Sequence, residues 1–422
     1  MGLLKSNLIT LTGGSSVSPA DPTLKLDLEF SSMTALPASI TFARASIGTY
    51  FDQNGALQTA LANAARFDHD PVTLEPLGLL IEEGRTNLQR YSQDFSQWTA
   101  TLCTIAPAAA LDGTTSATNI IPDNTVNTHR LASQASTVNT TSTYTVSFYA
   151  KKGAANFVSL SGAGAYNYCA WNLDTGTLAG NGTPWTNPRI QACGNGWYRC
   201  YANCIFIGTA VNIQIYGALT VNAAGQPGAA AGDGVAPWIT IWGVQIELGS
   251  FPTSYVPTTT ATVPRAFDSA FMTGTNLTSW YTENVGTFAA RIRVTPPPTS
   301  SFPGVVGKSS NSRWLYFNFT PGTGVSVYDA GTALAQTPVP VGNTTYNIAS
   351  ACDPATSLKR IANNGVAKEG AYNNTMDPAA TDMNIGSYGT FVRLNGPIAS
   401  LKYWNVAKTA AELQEITNPA KY

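Results

Sequence analysis

The sequence predicts an all-β protein: tandem antiparallel β-sandwiches, jelly roll first, with one short C-terminal helix. Three observations carry this. Apolar and polar residues alternate with period two over many short runs, most clearly Leu24 to Phe30 (LKLDLEF) and Thr143 to Lys151 (TYTVSFYAK), as strands with one face in a core require. Turn residues separate the runs, among them 37 glycines and 25 prolines. The middle of the chain holds no convincing helical pattern, which favours sandwiches or jelly rolls over mixed folds.

With 422 residues the chain is long enough for about two or three domains. Charged residues make up 11% and the net charge is −1, so no basic face is available for nucleic acid. No uninterrupted apolar run approaches the roughly 18 residues of a membrane span. The N-terminus, MGLLKSNLITLTGG, has one lysine and no sustained apolar region, which makes a poor secretory signal. The expectation is folding in a cytoplasm and export only as part of a particle. Six cysteines lie at 103, 169, 193, 200, 204 and 352 with no Cys-x-x-Cys pair, so no zinc motif is present. Cys200 and Cys204 share a parity on one strand and should be small buried apolar groups.

In chain order, residues 1–23 form an arm, either a docking segment for a neighbouring protein or a frayed end. Residues 24–86 form a small module expected to pack on the unit after it, with a tight turn at Asp52-Gln53-Asn54-Gly55. Residues 87–257 form the jelly roll. Its strands are expected at Thr143 to Lys151, Phe157 to Ser161, Tyr166 to Leu173, Trp197 to Ile207, Val211 to Leu219 and Trp238 to Leu248, with a long small-residue loop from Asn222 to Ala236. The Pro/Thr stretch FPTSYVPTTTATVPR, ending in a linker at 258–265, reads as a semi-rigid spacer. Residues 266–422 form a further sandwich, closed by a capping box at Thr409-Ala410-Ala411-Glu412 that opens a helix over about 409–417.

The densest charge in the chain lies between Arg66 and Trp98. It reads either as surface pairing along an edge strand or as something more specific. The run Thr41-Phe42-Ala43-Arg44-Ala45-Ser46, then Arg66-Phe67-Asp68, Pro76-Leu77-Gly78-Leu79-Leu80-Ile81-Glu82-Glu83 and Arg85-Thr86-Asn87-Leu88, resembles a module of tail and head appendage proteins of tailed bacteriophages. Trp171-Asn172-Leu173-Asp174-Thr175-Gly176-Thr177, Gly194-Asn195-Gly196-Trp197-Tyr198-Arg199-Cys200 and Ile241-Trp242-Gly243-Val244-Gln245-Ile246-Glu247 are similar to strands of the carbohydrate-binding jelly roll that follows it there. The resemblance covers roughly residues 24–265. It implies a virion context (fibre or spike), other virion proteins as partners of the N-terminal region and a homotrimer, although no heptad run marks one. Asn384-Ile385-Gly386-Ser387 and Leu394 to Asn405 resemble the end of concanavalin- or laminin-G-like sandwiches. Both resembled sandwich types often hold calcium; Asp112, Asp123 and Asp233 are loop carboxylates, but no EF-hand or acid-dense loop is present.

Glycosidases need two carboxylates flanking the scissile bond, and no Glu-x-Asp-x-x-Glu string occurs. There is no Gly-x-Ser-x-Gly elbow and no phosphate-binding loop either. A non-catalytic role is therefore expected. Sugar binding asks for aromatic rings beside amides and charged groups. The candidates are Trp185, in the loop GNGTPWTNPR, with Tyr166, Tyr168 and Trp171. Three functions stay open: a fibre or spike subunit binding host glycans, a purely structural decoration subunit, and a polysaccharide depolymerase.

Overall fold

The computed structural model describes residues 9–10, 21–162, 167–282, 285–294, 304–308, 313–318, 324–329, 332–336, 344–372, 382–388 and 392–421. It is built of two β-sandwiches, and the first is assembled from both ends of the chain. Among the described residues, one of its sheets runs Ile9–Thr10, Leu24–Leu28, Gly396–Trp404, Gly286–Val294, Thr344–Asp353, Leu358–Asn363, Val366–Ala371. Pro76–Ile81 also pairs with Gly396–Trp404 and carries Phe67–His69 at its side. The facing sheet runs Thr332–Gln336, Gly324–Asp329, Arg313–Asn318, Gly304–Lys308, Asp382–Ile385, Ser269–Thr273, Thr41–Ala43.

This corrects the expectation that residues 24–86 pack mainly on the jelly roll. Their strands hydrogen-bond into the C-terminal sandwich: Leu24 lies opposite Trp404, Phe42 opposite Ala270, and Leu79 opposite Ile398. The apolar parity of LKLDLEF explains why. Leu26, Leu28 and Phe30 are buried in one core with Leu79, Ile81, Phe288, Ile348, Met383 and Leu401. On the other parity Asp27 and Glu29 pair with Lys402 at 3.2 and 2.7 Å. Toward the jelly roll, the hairpin Gly48–Phe51/Leu57–Ala60 places Leu57 in one apolar cluster with Tyr149, Trp197, Trp242 and Tyr255. Its turn is a wider loop than a two-residue Asn-Gly turn: Gly55 has φ 72°, while Asn54 is held by its N–H donating to Asp52 Oδ1 at 2.9 Å.

The jelly roll is an insertion between Arg85–Asn87 and Val263–Arg265, which pair antiparallel as the chain leaves and returns. One six-stranded sheet runs Cys103–Ala108, Ala117–Pro122, Ile239–Leu248, Thr143–Lys152, Trp197–Ile205, Thr186–Ala192. The other runs Thr177–Asn181, Tyr168–Asn172, Phe157–Ser161, Gln214–Ala218, His129–Ala132, Thr99–Thr101. Val146, Phe148 and Ala150 fill the core between them, with Cys200 and Cys204 on the same inner face. Gly243 sits at φ 61° where the register shifts between Ser147 and Tyr149, a bulge that suits glycine.

The stretch expected to be a spacer is instead stitched onto the outer face of the first of these sheets. Asn203 Nδ2 donates to Ser250 O at 2.8 Å, Arg199 Nη2 to Thr253 O at 2.6 Å, and Glu247 accepts from the Thr253 hydroxyl at 2.5 Å. The polar parity of TYTVSFYAK is therefore buried too: Thr145, Ser147 and Tyr149 lie beneath this strap. At the C-terminus, helix Ala410–Ile416 carries the expected capping box, with Thr409 as N-cap and Glu412 reaching back.

Candidate functional site

Two of the sequence candidates belong to the core. Trp171 is fully buried, edge-on to Phe148 at 5.7 Å. Trp185 is 2% exposed; its ring packs against Phe206 and its Nε1 donates to Asn167 O at 3.2 Å. The loop around Trp185 is polar, and that composition suggested exposure. It folds back through Trp185 N to Gly182 O at 3.1 Å and Asn181 Nδ2 to Trp185 O at 3.0 Å, so the indole plugs the gap between the two sheets. Neither tryptophan offers a platform to a sugar. Tyr166 lies outside the described residues.

Tyr168 is placed differently. On Tyr168–Asn172 the odd positions Cys169 and Trp171 enter the core, so Tyr168 stands on the outer face. Register brings its neighbours there. Tyr168 lies opposite Ser161, Ser161 opposite Gln214, and Gln214 opposite Ala132. In the next row Ala170, Ser159, Tyr216 and Arg130 follow one another across the same four strands. The Tyr168 and Tyr216 rings meet edge to face at 5.7 Å, the Arg130 guanidinium lies 5.8 Å from the Tyr216 ring centre, and the Tyr216 hydroxyl donates to Gln214 Oε1 at 2.6 Å. Burial pushes the Tyr216 phenol up to about 12, with Arg130 pulling the other way, so it stays a neutral donor at ordinary pH.

The long small-residue loop closes one side of this face. Ser159 Oγ donates to Gly225 O at 2.6 Å. A Cβ on Gly225 would stand 2.9 Å from the Ala170 nitrogen, so only glycine lets the loop lie so flat on the sheet. Further along, Ala230 O faces His129 Nε2 at 2.8 Å and Leu102 O faces its Nδ1 at 2.5 Å. The loop thus covers Ser159 and Ala170, both fully buried, and leaves Tyr168, Gln214 and Arg130 half-buried. Aromatic edge, amide and guanidinium sit together in a shallow polar recess. Tyr216, Gln214 and Arg130 were not selected from sequence; the alternation in QIYGA and HRLA gave their parity, but only register joins the strands.

The charge block forms a buried network where the sandwiches join. The Asp268 carboxylate accepts from Arg44 Nη1 at 3.1 Å, Arg66 Nη2 at 2.5 Å and the Glu82 amide at 2.8 Å. Glu82 meets Arg66 at 2.7 Å and accepts from Ser254 N at 2.7 Å and Oγ at 2.6 Å. Burial works against its charge, yet Arg265 and Arg66 hold the Glu82 carboxyl at about 2. Beside the network a cavity of about 130 Å³ is lined by Asp68, Glu82, Tyr149, Arg199 and Ser254. Burial pushes the Asp68 carboxyl up to about 7. The cavity is smaller than the ~300 Å³ at which ligand pockets begin, and Glu82 is held by its partners at this junction. Among the described residues no group of three or more His, Cys, Asp or Glu side chains gathers for a metal. The carboxylates of Asp112, Asp123 and Asp233 each accept from backbone amides of their own turns.

No protein-family profile matches the chain, and no curated protein matches it. Solved structures similar to it include domain 4 of an extracellular GH43 arabinanase from Geobacillus stearothermophilus in complex with arabinotriose (11% identity, 40% of this chain and 82% of that one, TM-score 0.29). Another is the CBM40 of Ruminococcus gnavus IT-sialidase bound to α2,3-sialyllactose (16%, 32% and 83%, TM-score 0.27). A third is a candidate carbohydrate-binding protein from Bacteroides ovatus ATCC 8483 (16%, 70% and 80%, TM-score 0.28). At these scores the likeness carries no ligand over to this chain.

Proposed function

We propose that the protein is a virion appendage subunit, a fibre or spike component of a tailed bacteriophage, that binds host-surface glycans without cleaving them. The observation that carries the glycan reading is the recess itself: Tyr168, Tyr216, Gln214 and Arg130 drawn together on one sheet face. An aromatic ring covers the apolar face of a pyranose while amide and guanidinium groups bond its hydroxyls. The virion part rests on the motif resemblance of residues 24–265, with assembly in the bacterial host cytoplasm, contacts to other virion proteins through the N-terminal region and a homotrimer as corollaries. The motif residues Arg66 and Glu82 tie the sandwich to the jelly roll through Ser254, and Arg44 supports them through Asp268.

The test is binding of the purified full chain to an array of bacterial surface glycans, with Tyr168→Ala alongside. Binding that falls at least tenfold in the variant supports the reading; a well-folded protein that binds no glycan overturns it. One observation favours a second reading, a structural decoration subunit. Ile205 and Leu248, 49% and 55% exposed, flank the start of the Thr143–Lys152 strand, an apolar end suited to another virion protein. That reading expects the protein to bind particles lacking it and no sugar.

A further inference from the structure

We infer that the recess selects anionic glycans, and that Arg130 recognises the carboxylate of an acidic sugar. This deepens the glycan-binding reading and rests on it.

The half-buried or buried arginines around Arg130 are engaged: Arg85 meets Glu83, Arg90 Nη2 donates to Ala135 O at 3.4 Å, and Arg199 donates to Thr253 O and Ser147 Oγ. Among the described residues Arg130 has no carboxylate within ion-pairing distance; its buried Nε has no hydrogen-bond partner, as is also true of Arg199 Nε. Its contacts are the ring and the hydroxyl of Tyr216. A half-desolvated guanidinium without a counter-ion has lost hydration that one neutral phenol replaces only in part.

The surroundings offer no internal anion. Across the same face stand Ala132, Gln214, Ser161, Tyr168 and Tyr216, all uncharged. Asp123, in the turn after Ala117–Pro122, accepts from the Thr125 amide and lies 3.9 Å from His129 Nδ1. The recess therefore carries a single positive charge against a neutral wall. Its complement is a monoanion small enough to sit beside a pyranose ring. A carboxylate fits the planar fork of the guanidinium. A doubly charged phosphate monoester would call for a second cation, and among the described residues the recess holds one.

Orientation supports the assignment. The Tyr216 ring under Arg130 restrains the guanidinium as a cation–π partner. The Tyr216 hydroxyl engages Gln214 Oε1 and thereby orients that amide, leaving Nε2 as a donor for a sugar hydroxyl. Tyr168, edge-on to Tyr216, supplies the apolar contact. One sugar then meets stacking, a hydroxyl donor and a charge in one small area.

The experiment uses the full chain on an array of bacterial surface oligosaccharides, neutral, carboxylate-bearing and phosphate-bearing. Titrations follow with the strongest acidic ligand and with the same oligosaccharide after its carboxyls are reduced to alcohols. The expected result is at least tenfold tighter binding of the carboxylate form, shrinking as salt rises. Arg130→Gln should abolish that preference, so that the carboxylate and reduced ligands bind the variant equally, and Arg130→Lys should restore part of it. Equal affinity for acidic and reduced ligands would overturn the inference and leave the glycan reading standing. So would a preference for phosphate, or a parallel loss of both ligands in Arg130→Gln, which would make the residue merely structural. Absence of any glycan binding would remove both.

Discussion

Asp268 is the shared counter-ion of the junction, and its substitution tests how the two sandwiches are held together. The side chain is fully buried and serves Arg44, Arg66 and the Glu82 amide at once. In Asp268→Asn one oxygen remains for the amide, but the charge is gone. Arg66 keeps Glu82 at 2.7 Å. Arg44 keeps only carbonyls, at Ser46 O (2.9 Å) and Leu61 O (2.8 Å), while burial and nearby Arg66 already disfavour its charge. Removing one partner of a buried pair costs about 3–5 kcal/mol. Because Arg66 has a second acid, the lower end applies: about 3 kcal/mol, or roughly 1 M off the urea midpoint of the two-ended sandwich. Adding Arg44→Met to Asp268→Asn removes the orphaned cation, so the pair should show a coupling energy of about 2 kcal/mol. A loss below about 1 kcal/mol, or simple additivity, would refute the counter-ion argument.

Three further outcomes follow from the same structure. The Asp68 carboxyl, raised to about 7, takes up a proton on folding, so its contribution falls as pH climbs from its unfolded value near 4 to about 7. Asp68→Asn should therefore raise Tm at pH 8, by the equivalent of about 2 kcal/mol after allowing for its partial exposure, and leave it unchanged at pH 4; equal shifts at both would sink this. Gly78→Ala should destabilise by more than about 3 kcal/mol, because at φ 94° its Cβ would stand 2.1 Å from Ile398 O, whereas Gly113→Ala, at φ 78° in open space, should cost about 1 kcal/mol in the same thermal melts. Thr409→Ala, which removes the cap of the last helix, should cost about 1 kcal/mol and speed amide exchange in Ala410–Ile416.

Much of the fold was legible because alternation is a local signal. LKLDLEF and TYTVSFYAK declare strand and parity in seven to nine residues. What escaped is non-local. Nothing near Leu24 announces Trp404 as its partner, and nothing in the Pro/Thr stretch shows that it lies on Glu247, Gln245 and Arg199. The charge block was visible, but its burial was not, since Asp268 comes from another part of the chain. At the candidate site, the Gly-Ala loop beside it marks Tyr168 in the sequence, and the parity of its strand puts it on the outer face. Loop composition misled for Trp185, because a polar loop can still use its one large apolar residue to seal a core. Arg130, Gln214 and Tyr216 became neighbours only through strand register.

The order of synthesis gives the split sandwich a particular vulnerability. Leu24 cannot meet Trp404 until nearly all the chain exists, and at about 5–20 residues per second the wait is roughly 20–80 s. During it the jelly roll, contiguous between Asn87 and Val263, already has all of its own strands and can close. The early strands Leu24–Leu28 and Pro76–Ile81 meanwhile present unpaired edges beside a finished neighbour. A ribosome carrying this chain displays a sticky stub next to a folded bead, which makes early strand edges, rather than the mature surface, the place where crowded production of the protein would lose material to aggregation.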